Sequence, residues 1–419
     1  MFALADANNF YASCETIFRP DLRGKPICVV SNNDGCVIAR SAEAKALGIK
    51  MGDPLFKNER FFREKGVHIF SSNYALYGDM SQRMMTILGE MAPGQEIYSI
   101  DESFLDVSGI ASYMPLLDFG LLMRERVKME THLTIGVGFG PSKTLAKLAN
   151  LAAKKWSKTG GVVDLSSRER QRKLMSLLDV SEVWGIGSRL EKKLSQIGIT
   201  KTIQLADANV AMIRKHFGVI LERTVRELNG EPCIALEDAP PPKQQIMCSK
   251  SFGQRIVALE DMQHAVVTYA TRAAEKLREQ NSKCQHISVF IATGRHSNEP
   301  QYSNSASLTC QYPTSDTRDI AALALKCLDT IWRDGFRFAK AGIMLSDFYQ
   351  SNVAQLDMFS EQLPRANADA LMAALDTINN SGLGKIWLAG QGVDNKWQMK
   401  RDMLSPRYTT CIKDLPKVK

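Results

Sequence analysis

The alternation of apolar and polar positions begins at the start of the chain. Residues 2–7 read as a short strand, with Phe2 and Leu4 on one face and Asp6 at its carboxyl end. A second apolar run, Ile27–Ser31, is followed by an Asn32-Asn33-Asp34-Gly35 turn and then Val37–Ala39. Ser41–Leu47 predicts a helix stopped by Gly48. Glu96–Ile100 and Ser103–Val107 predict strands flanking the pair Asp101-Glu102, and Leu133–Val137 predicts another. That strand leads through a Gly138-Phe139-Gly140-Pro141 turn into a helix, Lys143–Trp156, whose Leu145, Leu148, Ala149 and Ala152 share one face.

After Gly160-Gly161 the texture changes. Residues 166–228 are helical, short-looped and basic, and Glu237–Pro242 is acidic and proline-rich, as expected of an extended linker. Beyond it the pattern predicts a compact α+β module with amphipathic helices over Asp261–Gln280 and Thr317–Arg333. His286–Ile291 is one of its alternating strands, and Ala341–Leu345 is expected to close the sheet. From about Ser351 short apolar patches alternate with Pro, Asn and Gly, the texture of a tail with some helix and docking segments.

Composition narrows the class. A chain of 419 residues exceeds one ordinary core, so three or four domains are expected. No apolar run reaches the length of a bilayer span, and the N-terminus lacks a basic leader, which points to the cytoplasm. Nine cysteines without a C-x-x-C pair argue for reduced thiols rather than a disulfide framework or zinc site. The net charge of +8 is concentrated: residues 166–236 hold 12 Lys/Arg against 8 Asp/Glu, and residues 243–350 hold 13 against 10. A polyanionic partner is compatible with both segments.

Asp6 and the pair Asp101-Glu102 are acids at strand ends from distant segments. Successive strand residues point to opposite faces, so Asp101 and Glu102 converge only if the chain bends between them, as at a hairpin tip. Clustered carboxylates persist when a hard cation neutralises them. Solvated strand-end acids are the other reading that spacing leaves open.

The string Asp6-Ala7-Asn8-Asn9-Phe10-Tyr11-Ala12-Ser13-Cys14-Glu15, with Tyr98-Ser99-Ile100-Asp101-Glu102-Ser103-Phe104, closely resembles the Y-family, or translesion, DNA polymerases. The resemblance runs along essentially the whole chain. Ser31–Arg40 and Met403–Thr410 resemble the UmuC-like branch in particular. It implies a multidomain α+β fold, a right-hand polymerase. Its parts would be a palm (1–20 and 76–165), fingers (21–75), thumb (166–236), linker (237–242), little finger (243–350) and a C-terminal clamp-binding and regulatory tail (351–419). It implies Asp6, Asp101 and Glu102 as catalytic ligands of two Mg²⁺ ions, with the backbone carbonyl of Ala7 adding one more donor, and a dNTP as substrate. Tyr11 matches the family's steric gate, a ring that clashes with a 2′-hydroxyl; Phe10 is either core or nucleotide-pocket wall. Lys45 and Lys154 fall where relatives place phosphate-binding cations, and Arg40 is a weaker candidate. Many relatives carry a phosphate-touching tyrosine where this chain has Ala42, and Lys45 replaces an arginine found in some of them.

Gly185 and Gly187, in Val183–Leu190, open a helix in the manner of a helix-hairpin-helix, whose N–H groups bind phosphate without reading sequence; Lys192 and Lys193 follow. A tight helix connection is the alternative. Lys250, Arg255 and Arg295 are candidate phosphate contacts of the little finger. Gln355-Leu356-Asp357-Met358-Phe359 resembles the peptide by which bacterial polymerases dock on the sliding clamp, and packing back onto this protein is its rival reading. The resemblance further implies primer-template DNA, a processed UmuD-like dimer and a RecA filament as partners, no membrane, and a cytoplasmic protein that joins the nucleoid when active. Damage bypass at low fidelity is the expected function. A metal-dependent nuclease using the same carboxylates and a non-catalytic DNA- or clamp-binding scaffold are the alternatives.

Overall fold

The computed structural model describes residues 1–237, 241–350, 365–382, 384–393 and 396–415. The strands are β1 (Phe2–Ala7), β2 (Ile27–Val30), β3 (Val37–Arg40), β4 (His68–Ser71), β5 (Gly94–Ile97), β6 (Glu102–Asp106), β7 (Ile135–Gly140) and β8 (Val162–Asp164), followed by β9 (Gln245–Ile256), β10 (Ser282–Thr293), β11 (Ser303–Thr314) and β12 (Phe338–Gln350). The chain separates into two compact units, one comprising Met1–Ser31, Gly35–Pro240 and Met403–Lys419, the other Asn32–Asp34 and Pro241–Asp402.

The first unit is built on a five-stranded sheet of order β5-β6-β1-β7-β8. Strand alternation sorts its two faces. Ala3, Ala5 and Ala7 share a core with buried residues of the helices Tyr74–Met91 and Leu116–Thr131. Leu4 and Phe104 pack on the opposite side against Ala146 of the helix Lys143–Lys155. That helix also supplies Leu145, Leu148, Ala149 and Ala152 to the core of the helical segment that follows, from Arg168 to Leu228. A small sheet of order β3-β2-β4 completes the unit.

Two expectations about strands are corrected. The predicted turn at Gly138–Gly140 is instead the end of β7. Glycine is needed there because the helix lies directly on the strand: a Cβ on Gly138 would stand 2.2 Å from the Asn150 backbone nitrogen and 2.5 Å from the Ala146 carbonyl oxygen. Helix proximity, not chain reversal, explains the glycines. In the second unit the order is β11-β10-β12-β9, so β12 is an interior strand and does not close the sheet. The edges are β9 and β11, which the sequence pattern left unread. Helices Leu259–Glu279 and Thr317–Ile331 share one apolar core with the sheet. All nine cysteines are free thiols. Among the described residues no helix is long and apolar enough to cross a membrane.

Candidate active site

Because Ala5 and Ala7 of β1 point into the core, Asp6 points to the face occupied by the helix Lys143–Lys155. In the antiparallel pair β1–β6, Asp6 stands opposite Glu102. Strands β5 and β6 form a hairpin, and Asp101 sits on the tip between them. The Ala7 amide donates to the Asp101 carbonyl at 2.9 Å, fixing the tip beside β1. The Ser99 hydroxyl donates to Asp101 Oδ1 at 2.7 Å and accepts from the Glu102 amide at 3.1 Å. The bend that the sequence required between Asp101 and Glu102 is this tip.

Burial pushes the Asp6 carboxyl up to about 7; the Lys154 ammonium opposes this, and repulsion from Glu102 and Asp101 adds to it. Lys154 is ion-paired with Asp6. Lys147 holds both oxygens of Glu102, at 3.2 and 3.1 Å. Among the described residues no three His, Cys, Asp or Glu side chains gather closely enough to hold a metal ion, since each acid here faces its own partner: Lys154, Ser99 or Lys147. The donor set nonetheless suits a hard divalent cation. It is all oxygen, the carboxylates repel one another, and two ammonium groups already supply the positive charge the cluster needs.

Beside the acids, Asn9 adopts a left-handed conformation (φ 50°) at the start of the helix Phe10–Ile17. Its Oδ1 accepts from Lys45 Nζ at 2.5 Å. Lys45 titrates below an ordinary lysine, first through burial and then through repulsion from Arg40 and Lys154, with Asp6 opposing. Three cations therefore converge on one place. Arg40 anchors there by donating from Nη1 to the Ile49 carbonyl at 2.6 Å, while its buried Nε has no protein partner among the described residues. Ala42 is exposed and adds no polar group. Phe10, read as core or pocket wall, is 3% exposed and belongs to the core. Tyr11 is half-buried, its ring stacked on Tyr77 with centroids 4.4 Å apart and planes 15° apart.

The model of the impB/mucB/samB family matches residues 5–151, and that of the family's C-terminal domain matches residues 243–358. The chain belongs to the Y-family DNA polymerases. The family's HHH motif matches residues 167–199, and a domain of unknown function matches residues 369–418. The chain is 56% identical to the protein UmuC of Salmonella typhimurium over the full length of both. It is 28% identical to DNA polymerase IV of Clostridium acetobutylicum, over 82% of this chain and 83% of the relative. Among solved structures, a Dbh–Dpo4–Dbh chimera of Y-family polymerases shares the fold with a TM-score of 0.66, at 21% identity over 84% of this chain and all of that one. It is a UmuC-like translesion DNA polymerase, and Y-family polymerases are nucleotidyltransferases that need divalent metal ions.

In this Y-family chain Gly187 precedes the helix Ser188–Gln196, and Gly185 takes the left-handed conformation (φ 87°) that glycine adopts freely. Lys192 and Lys193 are exposed on that helix, and Lys250, Arg255 and Arg295 are exposed on the second unit. Gln355, Leu356, Asp357, Met358 and Phe359 lie outside the described residues.

Sequence reasoning missed Lys147. It contacts Glu102 and lies over the rings of Tyr98 (4.4 Å), Trp184 (5.3 Å) and Phe104 (5.8 Å). The available signal was spacing: Lys147 and Lys154 are seven residues apart, two helical turns, and so share one face of their helix. Also missed were Glu15, Tyr77 and Ser405, which form a buried chain of hydrogen bonds behind Tyr11.

Proposed function

We propose that Asp6, Asp101 and Glu102 are the catalytic carboxylates for transfer of a nucleotide from a dNTP to a primer 3′-hydroxyl, with release of pyrophosphate. The observation that carries the reading is the register Asp6 opposite Glu102, with Asp101 on the adjoining tip, Lys154 paired to Asp6 and Lys45 nearby. Asp6, Asp101, Glu102 and the Ala7 carbonyl would hold two Mg²⁺ ions, whose chemistry when bound is to acidify the attacking hydroxyl and neutralise the leaving pyrophosphate. Lys45, Lys154 and Arg40 hold the triphosphate by charge. Tyr11 closes the space beneath the sugar and excludes a 2′-hydroxyl.

The division into palm, fingers, thumb, little finger and tail at the boundaries given above belongs to this proposal, as does a cytoplasmic location with nucleoid association. Primer-template DNA binds through backbone contacts from Gly185, Gly187, Lys192, Lys193, Lys250 and Arg255. The sliding clamp binds through Gln355–Phe359, and a processed UmuD-like dimer and a RecA filament are the remaining partners. Of the nuclease, scaffold and polymerase readings, family membership favours the last.

Primer extension past an abasic site, with the accessory proteins that extension requires, tests the assignment. Asp101→Asn is expected to lower the rate on the order of 10³-fold, since metal-assisted charge stabilisation is worth several kcal/mol. Extension at the parental rate would remove Asp101 from the catalytic set.

A further inference from the structure

Residues 403–408 fall in the stretch matched by the domain of unknown function, yet they are built into the first unit. The Met403 amide donates to Ser71 Oγ at 3.0 Å, and the Ser71 amide returns a bond to the Met403 carbonyl at 3.0 Å. Asn73, 2% exposed, donates from Nδ2 to Ser405 Oγ (3.0 Å), the Ser405 carbonyl (3.0 Å) and the Pro406 carbonyl (3.2 Å). Its Oδ1 meanwhile caps the helix Tyr74–Met91 through the Leu76 amide. The Ser405 hydroxyl, already accepting from Asn73, donates to Glu15 Oε1 at 3.1 Å. The same oxygen accepts the Tyr77 hydroxyl at 2.5 Å, and the Tyr77 ring is the one on which Tyr11 stacks. Three residues beyond Glu15, Phe18 stacks on Tyr408 with centroids 4.6 Å apart.

The direction of every bond in this chain is fixed by its donors. An amide can only give to Ser405, so the hydroxyl proton is free for Glu15, and the phenol of Tyr77 takes the remaining approach. Glu15 and Tyr77 are sealed from water and Ser405 is 7% exposed, so a lost partner is not replaced by solvent at no cost. We propose that Ser405 is a positioning residue for sugar selection: through Glu15 and Tyr77 it sets the plane of the Tyr11 ring. The segment 403–408 is thereby a strap across the back of the nucleotide site, tying the helix that carries Tyr11 to the helix that carries Tyr77. The inference rests on the reading of Tyr11 as the sugar filter.

The test is single-nucleotide primer extension by the full-length chain, with equal accessory proteins throughout, reading kcat and KM for dCTP and rCTP opposite template guanine. Tyr11→Ala is expected to abolish most of the preference for dCTP. Ser405→Ala is expected to lower it roughly three- to tenfold, the loss appearing as a fall in KM for rCTP. Ser405→Thr, which keeps the hydroxyl, is expected to restore it. Tyr77→Phe removes the next link while keeping the stacked ring. It should reproduce the Ser405→Ala effect, and the double variant should be no worse than either single one. Tyr77→Phe also carries the test if Ser405→Ala does not fold. Parental selectivity in Ser405→Ala and Tyr77→Phe, with Tyr11→Ala still permissive, overturns the strap while sparing the gate. Parental selectivity in Tyr11→Ala overturns the gate reading and the strap together.

Discussion

Glu15 is fully buried, and its Oε2 has no hydrogen-bond partner among the described residues. Burial pushes its carboxyl up to about 7 from 4.5, against the hydrogen bonds of Tyr77 and Ser405. Below about pH 4.5 the group is neutral in both folded and unfolded chains. Between 4.5 and about 7 only the unfolded chain ionises it, so the stability it contributes is lost as pH rises through about 7. The Glu15→Gln variant should lose less stability than the parent between pH 5 and pH 8, by about 1–3 kcal/mol, when both are unfolded in urea at each pH. Equal losses would show that the charged form is accommodated. Motif strings singled out Asp6, Asp101, Glu102 and Tyr11 in the sequence, and the structure sets Asp6 opposite Glu102 with Asp101 on the adjoining tip and Tyr11 stacked on Tyr77. Glu15 stood inside such a string and still gave no sign of its role, because its partner Ser405 is 390 residues away and no local pattern encodes that contact. Lys147 was hidden differently: a lysine on a helix reads as solvated until the strand acid beneath it is known.

At the scale of elements, alternation and apolar runs located β1, β2 and β6 nearly to the residue, while the N-caps that the structure shows at Ser41 and Ser142 went unread. The reading failed where glycine had two physical explanations. Gly138 and Gly140 lie within β7 where the backbone of the helix Lys143–Lys155 approaches too closely for a side chain, and a turn shows the same letters. Gly138→Ala is therefore expected to cost about 3 kcal/mol, as a shift in the urea midpoint, because the obstructing atoms are backbone and cannot rotate away. An unchanged midpoint would mean that the helix can lift from the strand. The same displacement moves Lys147 and Lys154 relative to Glu102 and Asp6, so polymerase activity should fall further than stability alone accounts for.

For the whole molecule, the charge pattern anticipated a polyanionic partner and the texture change after Gly161 anticipated a helical segment, while the division into units depended on contacts across hundreds of residues. Affinity for primer-template DNA should fall linearly with salt on logarithmic axes. Replacing Lys192 and Lys193 together by Ala should make that slope shallower by about 2. An unaltered slope would take both lysines off the phosphate backbone. The strap has a consequence in time as well as in space. Asn73 and Ser405 are 332 residues apart, so at about 5–20 residues per second a ribosome needs on the order of half a minute to make the second after the first. During that interval the nascent first unit holds Glu15 and Asn73 without the hydroxyl and carbonyls that satisfy them. Its wall behind Tyr11 can be finished only when translation has passed residue 405, so a ribosome stalled before that point leaves the Tyr77 ring beneath Tyr11 without the far end of its hydrogen-bond chain.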